Sequence, residues 1–264
     1  MRLEKHMLNS HNWQEIHSQF STAEPFNHVV IDNFFTPEVA DLLYNEFPAY
    51  DSEQWIYYHN ALEDKKTCNH WDKFPLTTYR AFEFLNSNGF VDKLKIVTGI
   101  NDLKGDIGLH GGGWHAHSKG GKNNIHLDYD IHPKLGLQRK INIIVYMTPG
   151  WDSTWGGGLE LWSHDTDTGR PKQMVKLVEN QFNRAVIFDT TQNSWHGLPR
   201  ELVCPPGVVR RSLAVYYLTT PASTVTDRKK ALFAPYGDQA NDPEVLELIR
   251  KRANIEQASS VYRK

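Results

Sequence analysis

The sequence predicts a mainly β fold with supporting helices, built as an antiparallel sandwich or barrel rather than as repeated βαβ units. Three observations carry this. After Gly105, short apolar runs over Ile141–Met147, Leu159–Leu161, Arg184–Phe188 and Leu213–Leu218 alternate with turns bearing Gly and Pro. Helical periodicity is confined to the flanks of that region. Aromatic residues reach 12%, with 8 Trp and 11 Tyr, a content that suits strands and deep pockets.

Taken in order, Val29 to Ile31 reads as a short strand that Asp32-Asn33 turns. Thr36 is placed to cap a helix with Pro37 at its first position, and Val39, Leu43 and Phe47 then recur at four-residue spacing until Pro48. Residues 50–75 mix aromatics, charges and turn formers without a period. A helix is predicted over 76–87, with Tyr79, Phe82 and Leu85 on one face, and a second over Phe90–Thr98. The strands follow. Beyond Pro221 helical character returns, and Asp242-Pro243-Glu244 is a good helix start. The expected organisation is one catalytic domain over 1–264, with 221–264 as a C-terminal helical addition and no linker between independent units.

Composition narrows the function. The 264 residues hold 39% hydrophobic and 23% charged side chains, as an ordinary globular chain does. A net charge of -2, with Arg228-Lys229-Lys230 as the densest basic run, gives no stripe for nucleic acid, so no such partner is expected. Two cysteines, Cys68 and Cys204, do not make a disulfide scaffold. The first residues lack an apolar leader core, and no stretch approaches eighteen apolar residues, so a cytoplasmic location without a membrane partner is expected.

The most informative segment is Asn124-Ile125-His126-Leu127-Asp128. On a strand, residues two apart share a face, so His126 and Asp128 can reach one ion. His196, in Asn193-Ser194-Trp195-His196-Gly197, is the candidate third ligand, brought back by the apolar strand before it. Two histidines and one carboxylate leave three positions open on an octahedral iron(II). In Val209-Arg210-Arg211-Ser212-Leu213, parity sets Arg210 and Ser212 on one face and Arg211 on the other. An inward arginine needs an anion, either a carboxylate ligand or a protein acid.

With these residues in view, the chain resembles the iron(II)/2-oxoglutarate oxygenases related to prolyl hydroxylases, from about residue 25 to 220. His126-X-Asp128 resembles their first metal motif and His196 their distal histidine. Arg210 to Tyr217 resembles the strand that salt-bridges the distal carboxylate of 2-oxoglutarate, and Trp155-Gly156-Gly157-Gly158-Leu159 resembles a Gly-Gly-X-Leu core strand. The resemblance implies a distorted double-stranded β-helix of the jelly-roll or cupin kind. It implies iron(II) as cofactor, 2-oxoglutarate and O2 as co-substrates, and hydroxylation of a C–H bond with release of succinate and CO2. It places His126, Asp128 and His196 as metal ligands and catalytic centre. Arg210, Ser212, Tyr146 and Asn142 are placed around 2-oxoglutarate.

The expected substrate is a small metabolite or amino-acid moiety, with a peptidyl proline as the alternative. A zinc hydrolase and a noncatalytic β-sandwich binding module are the readings outside this class. The glycine-rich stretch 111–121, with Trp114, His115 and His117, and the stretch 151–155, with Trp155, are expected to form the substrate wall, the first as a flexible cover.

Overall fold

The computed structural model describes residues 7–261, so the first six and last three residues of the expected domain lie outside the described residues. Its elements, in order, are α1 (Trp13–Ser21), β1 (His28–Ile31), α2 (Pro37–Asn45), β2 (Ile56–His59), β3 (Glu63–Cys68), α3 (Leu76–Asn86) and α4 (Asn88–Thr98). The strand region follows with β4 (Lys104–Gly105), β5 (Gly113–His117), β6 (Lys122–Leu127), β7 (Gln138–Tyr146), β8 (Leu159–Asp165), β9 (Arg170–Val178), β10 (Ala185–Asp189), β11 (Trp195–Leu198) and β12 (Arg210–Thr219). After β13 (Leu232–Phe233), helix α5 (Pro243–Ala253) starts where expected, with the Asp242 side chain accepting from the Glu244 and Val245 amides.

The strands form one antiparallel sheet whose main path runs β1-β10-β7-β12-β5-β3-β6-β11-β8-β9. It curls into a nearly closed barrel of the double-stranded β-helix type, mixed with helices as the sequence predicts. Strand parity divides its two faces. Ile141, Ile143 and Val145 of β7, with Leu213, Val215 and Tyr217 of β12, join Phe20, Leu43, Phe82 and Phe90 of the helices in the main core. The helices therefore plaster the outside of the barrel. Asn142, Ser212, Ala214 and Tyr216, one residue out of phase, face its interior.

Several elements depart from the expectation. The segment from 111 to 121, expected as a flexible cover, holds strand β5, paired with β12 on one side and β3 on the other. Residues 56–68, without a readable period, form the β2–β3 hairpin. Cys68 and Cys204 are both free and buried. Among the described residues no helix is long and apolar enough to cross a membrane.

Candidate active site

His126, Asp128 and His196 converge inside the barrel, their ligand atoms all within 4.8 Å of one another and all three residues buried. Sheet register does this: His196 on β11 lies directly across from His126 on β6, and Asp128 follows two residues on. In both histidines Nδ1 donates to the backbone carbonyl two residues earlier, Asn124 at 2.8 Å and Ser194 at 2.8 Å. A carbonyl only accepts, so the proton sits on Nδ1 and each Nε2 offers its lone pair to the centre. Those nitrogens stand 3.8 Å and 3.9 Å from the two Asp128 oxygens. Burial, and then the neighbouring His196, push the His126 pKa down to about 3, which keeps the ring neutral and ligating.

Burial alone would raise the Asp128 pKa, but Arg139, followed by the two histidines, holds it below the ordinary carboxylate value. The Arg139 guanidinium approaches Asp128 Oδ1 at 3.6 Å, while Oδ2 has no hydrogen-bond partner among the described residues. Arg139 is itself clamped between the rings of Tyr129 and Tyr216, 3.5 Å and 3.3 Å from their centroids, and donates to the His110 carbonyl at 2.6 Å. An orphaned buried carboxylate oxygen between two neutral imidazole lone pairs fits a divalent iron.

These donors open on a cavity of about 550 Å³. Arg210 is 3% exposed on its wall, donates from Nε to the Gly157 carbonyl at 2.7 Å, and has no acidic partner among the described residues. Burial lowers its pKa from the ordinary arginine value, partly opposed by Tyr146. Such a guanidinium fits the free carboxylate of 2-oxoglutarate. Arg211 points the other way, its guanidinium 4.9 Å from the Tyr44 ring.

Of the other expected residues, Ser212, Asn142, His115 and His117 line the same cavity. Tyr146 lies one layer back, its ring 5.0 Å from the Arg210 guanidinium and its hydroxyl turned to the Val178 carbonyl at 3.5 Å. Trp114, expected on the substrate wall, sits instead in the main core against Phe47 and Phe74, because it shares the outward parity of Leu213 opposite it. Trp155 lines a separate cavity of about 340 Å³ behind Gly157. Sequence reasoning missed Arg139, Tyr129, Tyr216, Lys65 and Phe233, all on the main cavity wall.

A jelly-roll barrel holding two histidines and a carboxylate around one point, with a buried arginine that has no acidic partner among the described residues facing the same cavity, is the arrangement of a mononuclear non-haem iron site. Residues 112–218 match the family described as the 2OG-Fe(II) oxygenase superfamily. Over 58 residues, 22% of this chain, it is 38% identical to prolyl 3-hydroxylase OGFOD1 of Mus musculus, and the matched segment spans 10% of that relative. Among solved structures it is similar in fold to a Pseudomonas putida prolyl-4-hydroxylase, with a TM-score of 0.56 at 14% identity, covering 80% of this chain and 100% of that one. It is likewise similar to a Trichoplax adhaerens prolyl hydroxylase in complex with a hypoxia inducible factor peptide, with a TM-score of 0.54 at 14% identity and coverage of 83% and 92%.

Proposed function

We propose that this chain is a 2-oxoglutarate-dependent oxygenase that hydroxylates a prolyl residue of a peptide. The observation that carries the oxygenase reading is Arg210, a buried cation without an acidic partner among the described residues, facing the cavity into which His126, Asp128 and His196 also point. The local identity to a prolyl 3-hydroxylase favours proline over the free metabolite first expected.

In this reading the two Nε2 atoms and the Asp128 carboxylate hold iron(II). The bound metal and 2-oxoglutarate together supply the oxidising chemistry, with succinate and CO2 as co-products. Arg210 holds the far carboxylate of the co-substrate, with Ser212 beside it as a second donor. Arg139 fixes the Asp128 carboxylate by its contact with Oδ1, and the carboxylate so held would be a ligand for the metal. A cavity of about 550 Å³ lies in the range that takes a drug-sized guest, so a second reactant has room beside the co-substrate.

The test incubates the iron-loaded protein with 2-oxoglutarate and a library of proline-containing peptides, following succinate and the gain of one oxygen by mass. Oxygen gain on proline that disappears in Asp128→Ala supports the proposal. Succinate formation raised by small amino acids and untouched by every prolyl peptide would replace it with the metabolite reading.

A further inference from the structure

The charge on the cavity wall is lopsided. Among the described residues six cations line it, Lys65, Arg139, Arg210, Lys229, Lys230 and Arg252, against two carboxylates, Glu63 and Asp128, in a chain whose net charge is only -2. Iron(II) and doubly charged 2-oxoglutarate would cancel one another, so loading the site leaves this imbalance in place.

Three of the six have evident electrostatic work. Arg139 faces Asp128, Arg210 faces the co-substrate in the reading above, and Lys229 pairs with Asp227 at 3.1 Å. Glu63, fully buried, holds Lys65 at 2.9 Å and Arg252 at 3.1 Å. Lys230 is different. Its ammonium makes no ion pair or hydrogen bond among the described residues, yet it is half-buried on the cavity wall. Burial, and then the positive charge of Arg252, lower its pKa.

A lysine that loses water on a cavity wall without a counter-charge is stabilised by an anion brought to it. Its position in the chain ties it to the reaction centre. Three residues on, Phe233 pairs with His126 across β13 and β6, and the two rings lie 5.1 Å apart. Arg252 stands over the other part of that aromatic wall, 5.5 Å from the Phe233 ring.

We propose that the substrate is an acidic peptide, and that Lys230 is the specificity-determining residue that receives a carboxylate neighbouring the reacting residue. This rests on the prolyl reading for the identity of the reacting residue, but the charge preference stands on its own residues. A neutral or basic peptide would leave the Lys230 ammonium half-buried on the cavity wall without a counter-charge.

The experiment measures binding of fluorescent proline-centred peptides with flanking Glu, Gln or Lys to the full chain loaded with manganese(II) and 2-oxoglutarate, so that no turnover occurs. The Glu-flanked peptide is expected to bind about tenfold or more tighter than the Lys-flanked one, the gap narrowing as salt is raised. Lys230→Glu should erase or invert that order and Lys230→Arg should restore it, with melting curves confirming that both are folded. Lys172→Glu, on the exposed β9, should leave the order unchanged. Equal binding of all three peptides, no binding of any, or a preference untouched by Lys230→Glu overturns the inference. The same peptides are then exposed to the iron-loaded protein and O2. Tight acidic binding without oxygen gain sinks the prolyl reading and keeps the charge preference. Oxygen gain indifferent to flanking charge does the reverse.

Discussion

Replacing Arg210 and Arg211 in turn separates the two faces of β12. Arg210 is 3% exposed, is held by its Nε donating to the Gly157 carbonyl, and has no acidic partner for its guanidinium among the described residues, which suits it to a carboxylate ligand. Losing a desolvated charge-assisted contact of this kind costs roughly 2–5 kcal/mol, or about 30-fold to a few thousand-fold in the Kd for 2-oxoglutarate. Arg211 instead lies against the Tyr44 and Phe47 rings on the opposite face, so its removal costs about 0.5–1 kcal/mol of packing and leaves that Kd within about twofold.

Calorimetric titration of 2-oxoglutarate into the manganese-loaded variants reads the difference directly. Stability supplies a second readout. A buried cation without a counter-charge does not favour the unliganded fold, so Arg210→Met should leave its Tm unchanged or raise it. The same variant should lose the rise produced by ligand at 100 times the wild-type Kd, worth about 2.7 kcal/mol or roughly 5–10 °C. Equal weakening by both alanine variants, or a larger effect at Arg211, would refute the parity argument.

Gly157→Ala should weaken 2-oxoglutarate binding about tenfold and cost roughly 1–2 kcal/mol of stability: the backbone there has φ +80°, and an added Cβ would meet the Arg210 side chain at 2.9 Å. Thermal melts and the same titration check both. Trp114→Ala should cost about 3–5 kcal/mol in chemical denaturation, because a core indole is lost. Trp114→Phe should leave the 2-oxoglutarate Kd unchanged. Acid should destabilise the metal-free protein earlier than carboxylate titration alone would: burial lowers the His110 pKa to about 4 and that of His115 to about 3. Each contributes stability that is full above the unfolded value near 6.5 and is lost as pH falls from there through the folded value. Stability that stays flat from pH 6.5 to 4.5 would show that these rings are not buried neutral.

The helices at 37–45 and 243–253 and the apolar strands were legible because capping residues and apolar period agreed with the burial that followed. Strand β3 was not. Its inward residues are Glu63, Lys65 and Thr67, polar because they face a cavity, so the apolar alternation that marks a strand is missing. Trp114 was misjudged although the reasoning that separates Arg210 from Arg211 applies to it; parity on β5 turns His115 and His117 inward and Trp114 out. Arg139 was out of reach for another cause. Parity would group it with Ile141 and Ile143 on the helix side, but the register shifts there, two residues of β7 passing one of β12, and the extra residue swings Arg139 into the cavity. Local irregularity of this sort leaves no mark in residue spacing.

The short strand β13 also has a consequence for the order in which the protein is made. Leu232 and Phe233 pair with the strand that carries His126, and Phe233 walls the cavity beside that histidine. At about 5–20 residues per second, the ribosome needs roughly 5–20 s after Asp128 to synthesise that partner. All three candidate metal ligands are therefore translated before the wall beside them exists. The shield beside the site is thus supplied by chain that follows all three candidate ligands, and a variant truncated after residue 221 would keep His126, Asp128 and His196 while losing Phe233 from the cavity wall.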